Sequence, residues 1–178
     1  LGLIVGHFLT LMRGIDEYII PTKVFIKNPT LFLEKLDEHK ITTTHCPNFA
    51  LDLLAKYSDN YNKKDLDLHL LSVISVGSQH VSAKSCDTFI KSMSKFNMPA
   101  TAVQPGYGLT EATVVVSNAI DRMFKARYLN RNKLSVGDKI EEIAPDDVNA
   151  VSLVEVGTII DSCRIKIVDK DRHTLGDG

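Results

Sequence analysis

The run Leu71-Ser72-Val73-Ile74-Ser75-Val76 constrains the fold more tightly than any other stretch. It is short, largely apolar and stopped by Gly77, as a strand buried in a parallel sheet is. Beyond it, Ser82 can cap a helix in which Cys86, Phe89, Ile90 and Met93 fall at i, i+3, i+4 and i+7, and another apolar stretch, 100–103, follows that helix. The same pattern holds upstream. Ile41-Thr42-Thr43-Thr44-His45-Cys46 is β-branched and ends at Pro47, which opens a helix through Ala50, Leu51, Leu53, Leu54 and Tyr57. Residues 28–40 read as an earlier helix, with Asn28 as cap, Pro29 in the first turn and Phe32, Leu33 and Leu36 as an apolar stripe. Alternation of strand and helix through residue 104 predicts an α/β fold. It is part of a right-handed βαβ parallel sheet with flanking helices, which binds ligands at the carboxyl ends of its strands. Gly77 and Gly106 fall at such ends.

After Glu111 the texture changes. Val114-Val115-Val116 is β-rich, 121–149 is charged and irregular, and 164–168 alternates like a strand before a turn-like end, 169–178. Three parts are expected: an α/β subdomain over 1–117, an insertion-like segment over 118–156, and the start of a β-rich subdomain over 157–178. Residues 59–64 read as a polar loop. With 44% hydrophobic residues among 178 the chain can bury a real core. Its 21 basic and 22 acidic residues leave a net charge of −1, so no overall field points to nucleic acid or a membrane surface. Cys46, Cys86 and Cys163 stand far apart without a CxxC pair, which argues against a disulfide framework or structural zinc and fits a reducing cytoplasm. No apolar run approaches the roughly 20 residues that span a bilayer, and no targeting signal is read at the start. The chain begins without Met and ends after a turn-like segment, so both ends read as cuts.

The residues that carry chemistry lie in Gly106-Tyr107-Gly108-Leu109-Thr110-Glu111. Glycines on either side of Tyr107 let backbone pass close to a flat or phosphorylated ligand. The Tyr107 ring can stack on a base, the Thr110 hydroxyl can bond a phosphate oxygen, and Glu111 offers a hard oxygen ligand to Mg²⁺. A simple turn carrying a surface acid fits the same spacing.

Tyr-Gly-Leu-Thr-Glu after a buried strand resembles the Tyr-Gly-x-Thr-Glu motif of the adenylate-forming (AMP-binding) superfamily, which includes acyl-CoA synthetases, adenylation domains and fatty acyl-AMP ligases. Gly2-Leu3-Ile4, Pro47-Asn48-Phe49-Ala50 and Leu66-Asp67-Leu68 resemble fatty acyl-AMP ligase segments in the same order, as does Val156-Gly157 followed by Cys163-Arg164-Ile165-Lys166-Ile167-Val168-Asp169. The resemblance covers nearly the whole chain and marks it as an internal fragment of the large N-terminal domain. It implies ATP and Mg²⁺, with Tyr107 and Gly108 against the adenine, Thr110 on the phosphates and Glu111 on the metal. It places the Gly77-Ser78-Gln79 loop on the other adenine face. That loop departs from the Gly-Ala-Glu-Pro form common in these ligases, having Ser78, Gln79 and His80, so adenine contact there is expected through backbone.

Substrate class follows from other residues. Leu1-Gly2-Leu3-Ile4 resembles the end of the His-Asp-x-Gly-Leu-Ile of acyl-activating relatives, which puts His7, Phe8, Asn48 and Phe49 near an acyl channel, although Phe8 and Phe49 read equally as core. The implied reaction joins a medium or long fatty acid to AMP and passes the acyl group to a phosphopantetheine thiol, on an acyl carrier protein or coenzyme A. The segment 118–156 resembles an insertion that disfavours coenzyme A as acceptor; a solvated excursion is the other reading. The upstream phosphate loop, the ribose-binding Asp and the C-terminal catalytic Lys of the family are expected to come from the rest of its own adenylation domain, so these residues are expected to be inactive alone. The competing class is a degenerate relative that serves as a non-catalytic scaffold in a larger synthase. Asp65-Leu66-Asp67-Leu68-His69 reads as a solvated edge rather than a metal site. The remaining histidines read as structural or surface, with His45 and His80 alone near strand ends.

Overall fold

The computed structural model describes residues 2–61, 65–120 and 122–176. Parts of three expected features, the start at Leu1, the loop over 59–64 and the turn over 169–178, and the residue opening the charged stretch at 121, lie outside the described residues. A wide π-helical turn, Gly2–Phe8, runs into α1 (Leu9–Arg13), which Gly14 ends in the left-handed region; α2 (Thr22–Lys27) and α3 (Thr30–Glu38) follow. The helix expected over 28–40 is thus shorter. Asn28 does not cap its backbone: its N–H closes α2 on the Val24 carbonyl, and its Oδ1 accepts from the Thr30 hydroxyl at 2.9 Å.

The expected alternation then unfolds. β1 (Thr43–His45), α4 (Asn48–Ser58), β2 (Val73–Val76), α5 (Ala83–Met93) and β3 (Val103–Tyr107) form the parallel part of the sheet. The Ser82 hydroxyl accepts from the Ser85 N–H at 3.2 Å, the N-cap expected for α5. The register pairs Thr44 with Ile74 and Ile74 with Val103, so these residues share one face. That face joins Leu51 and Leu54 of α4 and Cys86, Phe89 and Met93 of α5 in a single buried cluster, which Leu33 and Leu36 of α3 extend. The opposite face carries His45, Ser75 and Gln104, paired in one row. Here the first turn comes over the sheet, where a Cβ on Gly6 would lie 3.7 Å from the His45 ring.

Past Tyr107 the sheet becomes mixed. β4 (Ser117–Asn118) runs antiparallel to β3, pairing Asn118 with Gly106 and Ser117 with Tyr107. β5 (Ala126–Asn130) and β6 (Ala150–Val154) form a separate antiparallel pair, and β7 (Thr158–Ile159) returns to β4, giving the order β1-β2-β3-β4-β7. Gly157, at φ 79°, makes that return: a Cβ there would lie 2.0 Å from the Asn118 carbonyl.

Three local expectations are corrected. The stretch 121–149 is not irregular throughout, because β5 lies within it and is flanked on its other edge by a bridge from Leu129 to Glu142. The strand after Val114-Val115-Val116 starts at Ser117, since Val114 closes a turn on the Ala112 carbonyl. Residues 164–168 form no strand: Val168 makes an isolated bridge to Thr174, the Leu175 N–H donates to the Ile167 carbonyl at 3.0 Å, and Ile165 and Ile167 are exposed. Among the described residues no helix is long and apolar enough to cross a membrane.

The core predicts a hierarchy of stability losses. Phe89→Ala should cost about 3–5 kcal/mol and Ser82→Ala about 1 kcal/mol, read as shifts of the urea midpoint. Equal losses would contradict the assignment of Phe89 to the shared core.

Candidate active site

A cleft of about 220 Å³ opens at the carboxyl ends of β2 and β3. One wall is Ser75-Val76-Gly77-Ser78, and the other is the segment from Gly106 to Thr110 together with Thr113, Val114 and Val115. Gly108 makes the second wall possible. The chain folds back so closely that a Cβ on Gly108 would lie 1.6 Å from the Val114 carbonyl oxygen, and the Val116 N–H donates to the Tyr107 carbonyl at 2.8 Å to close the excursion. Within it, Thr110–Ala112 is one 3₁₀ turn, and Thr113 sits at φ 68°, ψ −62°, with the Val114 N–H donating to the Ala112 carbonyl at 2.8 Å. That is a γ-turn of the rare, strained hand, centred on a β-branched residue. Across the cleft Ser78 is also left-handed, at φ 67°. Strained residues on both walls are held there by the packed strands behind them.

The structure brings together most of the expected nucleotide residues. Gly77, Ser78, Tyr107, Gly108 and Thr110 all line the cleft, and the Tyr107 ring is 51% exposed at its mouth. Glu111 stands just outside the wall, exposed, with its Oε2 accepting from the Thr110 hydroxyl at 3.1 Å. Gln79 is exposed and outside the cleft.

The four expected acyl-channel residues are not gathered there. His7 Nδ1 lies 2.7 Å from Glu17 Oε2. Phe8 and Phe49 are 46% and 54% exposed, which corrects the reading of either as plain core. Asn48 bridges elements: its Nδ2 donates to the His80 carbonyl at 2.7 Å and its Oδ1 accepts from the Ser82 N–H at 3.2 Å, tying the start of α4 to the loop after β2.

Sequence reading missed Ser75, Ser117 and Asn118, which also line the cleft. Ser75 carried a signal, being polar inside an apolar strand and therefore turned away from the core. Asn118 carried none, because strand register alone brings it opposite Gly106. Its Oδ1 is buried without a hydrogen-bond partner, and so is His45 Nδ1 on the same sheet face. Burial holds His45 below the ordinary histidine range. The Asp65 to His69 stretch behaves as an edge: Leu66 and Leu68 are buried while His69 Nδ1 contacts Asp67 Oδ2 at 2.8 Å.

Tyr107 and the Gly77-Ser78 backbone line the same cleft, and the neighbouring Thr110 hydroxyl and Glu111 carboxylate set two oxygen groups side by side, the ligand type that Mg²⁺ prefers. A family model described as AMP-binding enzyme matches residues 1–178. The chain belongs to that family. Among its AMP-binding relatives, 4-hydroxyphenylalkanoate adenylyltransferase of Mycobacterium tuberculosis is 29% identical over 85% of this chain and 25% of its own length. Long-chain-fatty-acid–AMP ligase FadD23 of the same organism is 26% identical over 98% of this chain and 29% of its own. The fold is similar to that of fatty acyl-adenylate ligase from L. pneumophila, solved in complex with acyl adenylate and pyrophosphate, with a TM-score of 0.84 and 27% identity over 96% of this chain and 30% of that one. The chain thus spans between a quarter and a third of the length of these AMP-binding proteins.

Two outcomes follow from the geometry. Gly108→Ala should collapse the wall with a marked fall in melting temperature, whereas Gly176→Ala, with open space around it, should leave the melting temperature unchanged. His45 gives a pH dependence. Its folded pKa lies below the ordinary 6.5, so on acidification the unfolded chain takes the proton first, and stability is complete above 6.5 and falls as pH drops through the folded value. In His45→Gln, the loss of urea midpoint between a pH well above 6.5 and one well below it should shrink; an unchanged loss would contradict the burial argument.

Proposed function

We propose that these residues form the nucleotide half of the site of an ATP-dependent enzyme that joins a fatty acid to AMP. The observation that carries the reading is the folding of Tyr107-Gly108-Leu109-Thr110-Glu111 around the cleft at the ends of β2 and β3, opposite Gly77-Ser78. The names of the relatives, adenylyltransferase and fatty-acid–AMP ligase, support the same chemistry here.

In this reading ATP is a substrate, and the acid's carboxylate attacks the α-phosphorus in line as the bond to pyrophosphate breaks. The protein's part is positioning and charge stabilisation. Tyr107 stacks on the adenine, whose other face meets the backbone of Gly77, Ser78 and Gln79. Gly108 lets the chain turn back closely enough to keep Tyr107 against the adenine, and the Thr110 hydroxyl donates to a phosphate oxygen. Glu111, oriented by Thr110, would hold Mg²⁺, which supplies positive charge against the phosphates. The acyl group then passes to a phosphopantetheine thiol, on a carrier protein or coenzyme A.

His7, Phe8, Asn48 and Phe49 belong to the acyl side of the full-length enzyme. Residues 1–117 serve nucleotide and acyl binding, 118–156, with β5 and β6, form the insertion that bears on acceptor choice, and 157–178 lead into a β-rich subdomain. The site is completed by the rest of the adenylation domain, and these residues alone give no pyrophosphate exchange.

Exchange of pyrophosphate into ATP by the full-length protein, with fatty acids and α-amino acids as alternatives, tests the reading. Fatty acids should support exchange. Glu111→Gln should lower kcat by about 10²–10³-fold, and Tyr107→Ala should chiefly raise KM for ATP. Exchange with amino acids alone, or full activity in Glu111→Gln, would overturn it.

A further inference from the structure

We infer that Asn118 selects a carboxylic acid carrying a hydroxyl near its carboxyl end over the unsubstituted acid. This deepens the proposed function and rests on it, because the placing of adenine on Tyr107 is taken from there.

The register of β3 and β4 divides the cleft. Asn118 pairs with Gly106 and Ser117 with Tyr107, and neighbouring residues of a strand face opposite sides of a sheet. Asn118 therefore shares a face with Gly106, while Tyr107 projects to the other. Adenine on the Tyr107 side leaves the Asn118 side to the acid. Both meet in one cleft of about 220 Å³ that also contains Thr110, so the part of the acid beside Asn118 is the part next to the reacting carboxylate.

Asn118 is built to meet a polar group there. Its Oδ1 lies over Gly106, 3.3 Å from where a Cβ would stand, and it is buried with no hydrogen-bond partner. The other buried side-chain atom without a partner among the described residues is His45 Nδ1. It is on the same face: His45 pairs with Ser75, Ser75 with Gln104, and Gln104 and Gly106 are two apart on one strand. Asn118, Gly106 and Ser75 thus line the cleft from one face of the sheet, and His45, farther along that face, lies under the first turn. An alkyl chain beside Asn118 leaves its Oδ1 unpaired, and a site with an unpaired buried polar group rejects the analogue that leaves it so. A hydroxyl both donates and accepts, so it satisfies the Asn118 amide in either orientation.

The test is pyrophosphate exchange by the full-length protein with pairs of acids of equal chain length, one unsubstituted and one with a hydroxyl on the carbons nearest the carboxyl group. The unmodified protein should favour the hydroxylated acid in kcat/KM by about tenfold or more. Asn118→Leu, which keeps the branched shape and removes the amide, should lose that preference with KM for ATP unchanged. Equal kcat/KM for the paired acids in the unmodified protein overturns the inference, and this measurement needs no variant to fold. A preference that survives in Asn118→Leu also overturns it, as does a raised KM for ATP in that variant, which would give the amide to the adenine. Exchange with no acid at all would overturn the proposed function as well, whereas exchange without preference overturns only the role of Asn118.

Discussion

The close approach of Gly108 to Val114 organises the end of the sheet. With the Val114 carbonyl occupying the space where a side chain would begin, the chain after Tyr107 reverses within a few residues and re-enters the sheet as β4. Everything at the cleft depends on that reversal. It presents the Tyr107 ring at the mouth, places Thr110 and Glu111 side by side on a single 3₁₀ turn, and sets Asn118 opposite Gly106. By sequence the glycines read as room for a ligand to approach. The structure gives Gly108 a second task, room for the protein's own backbone, and strain at Thr113 is the consequence of so tight a return.

The sheet behind the cleft is asymmetric, and the asymmetry separates stability from function. One face, with Ile74, Val76 and Val103, is sealed by α4 and α5 into the main core. The other bears His45, Ser75, Gly106 and Asn118 and meets the first turn at His45. Burial on the first face rigidifies β2 and β3, so their ends can hold the left-handed Ser78 and the γ-turn at Thr113. The polar second face is then available for recognition without a place in the core.

The strand and helix alternation was legible because it rests on local signals: the apolar run ending at Gly77, the Ser82 cap and the spacing from Cys86 to Met93 all reappear as β2 and α5. Tyr107, Gly108 and Thr110 were legible as a compact motif, and they do share a wall. What was hidden depends on pairing between distant segments. β5 was masked by the charges of Arg127 and its neighbours, since the Arg127–Glu142 ion pair and the bridge at Leu129 link residues far apart in the chain. Asn118 reaches the cleft only through antiparallel register, and the strand-like alternation of Ile165 to Val168 lacks a partner strand among the described residues. Phe8 and Phe49 read as apolar by type, yet both are exposed, Phe8 just before α1 and Phe49 in the first turn of α4.

A crystal structure of the full-length protein with a non-hydrolysable acyl-adenylate analogue tests the division of the cleft most directly. The account predicts adenine stacked between Tyr107 and the Gly77-Ser78 backbone, with the acyl group leaving over Gly106 along the Asn118 face. Adenine bound away from Tyr107, or an acyl chain leaving on the Tyr107 side of the sheet, would contradict it.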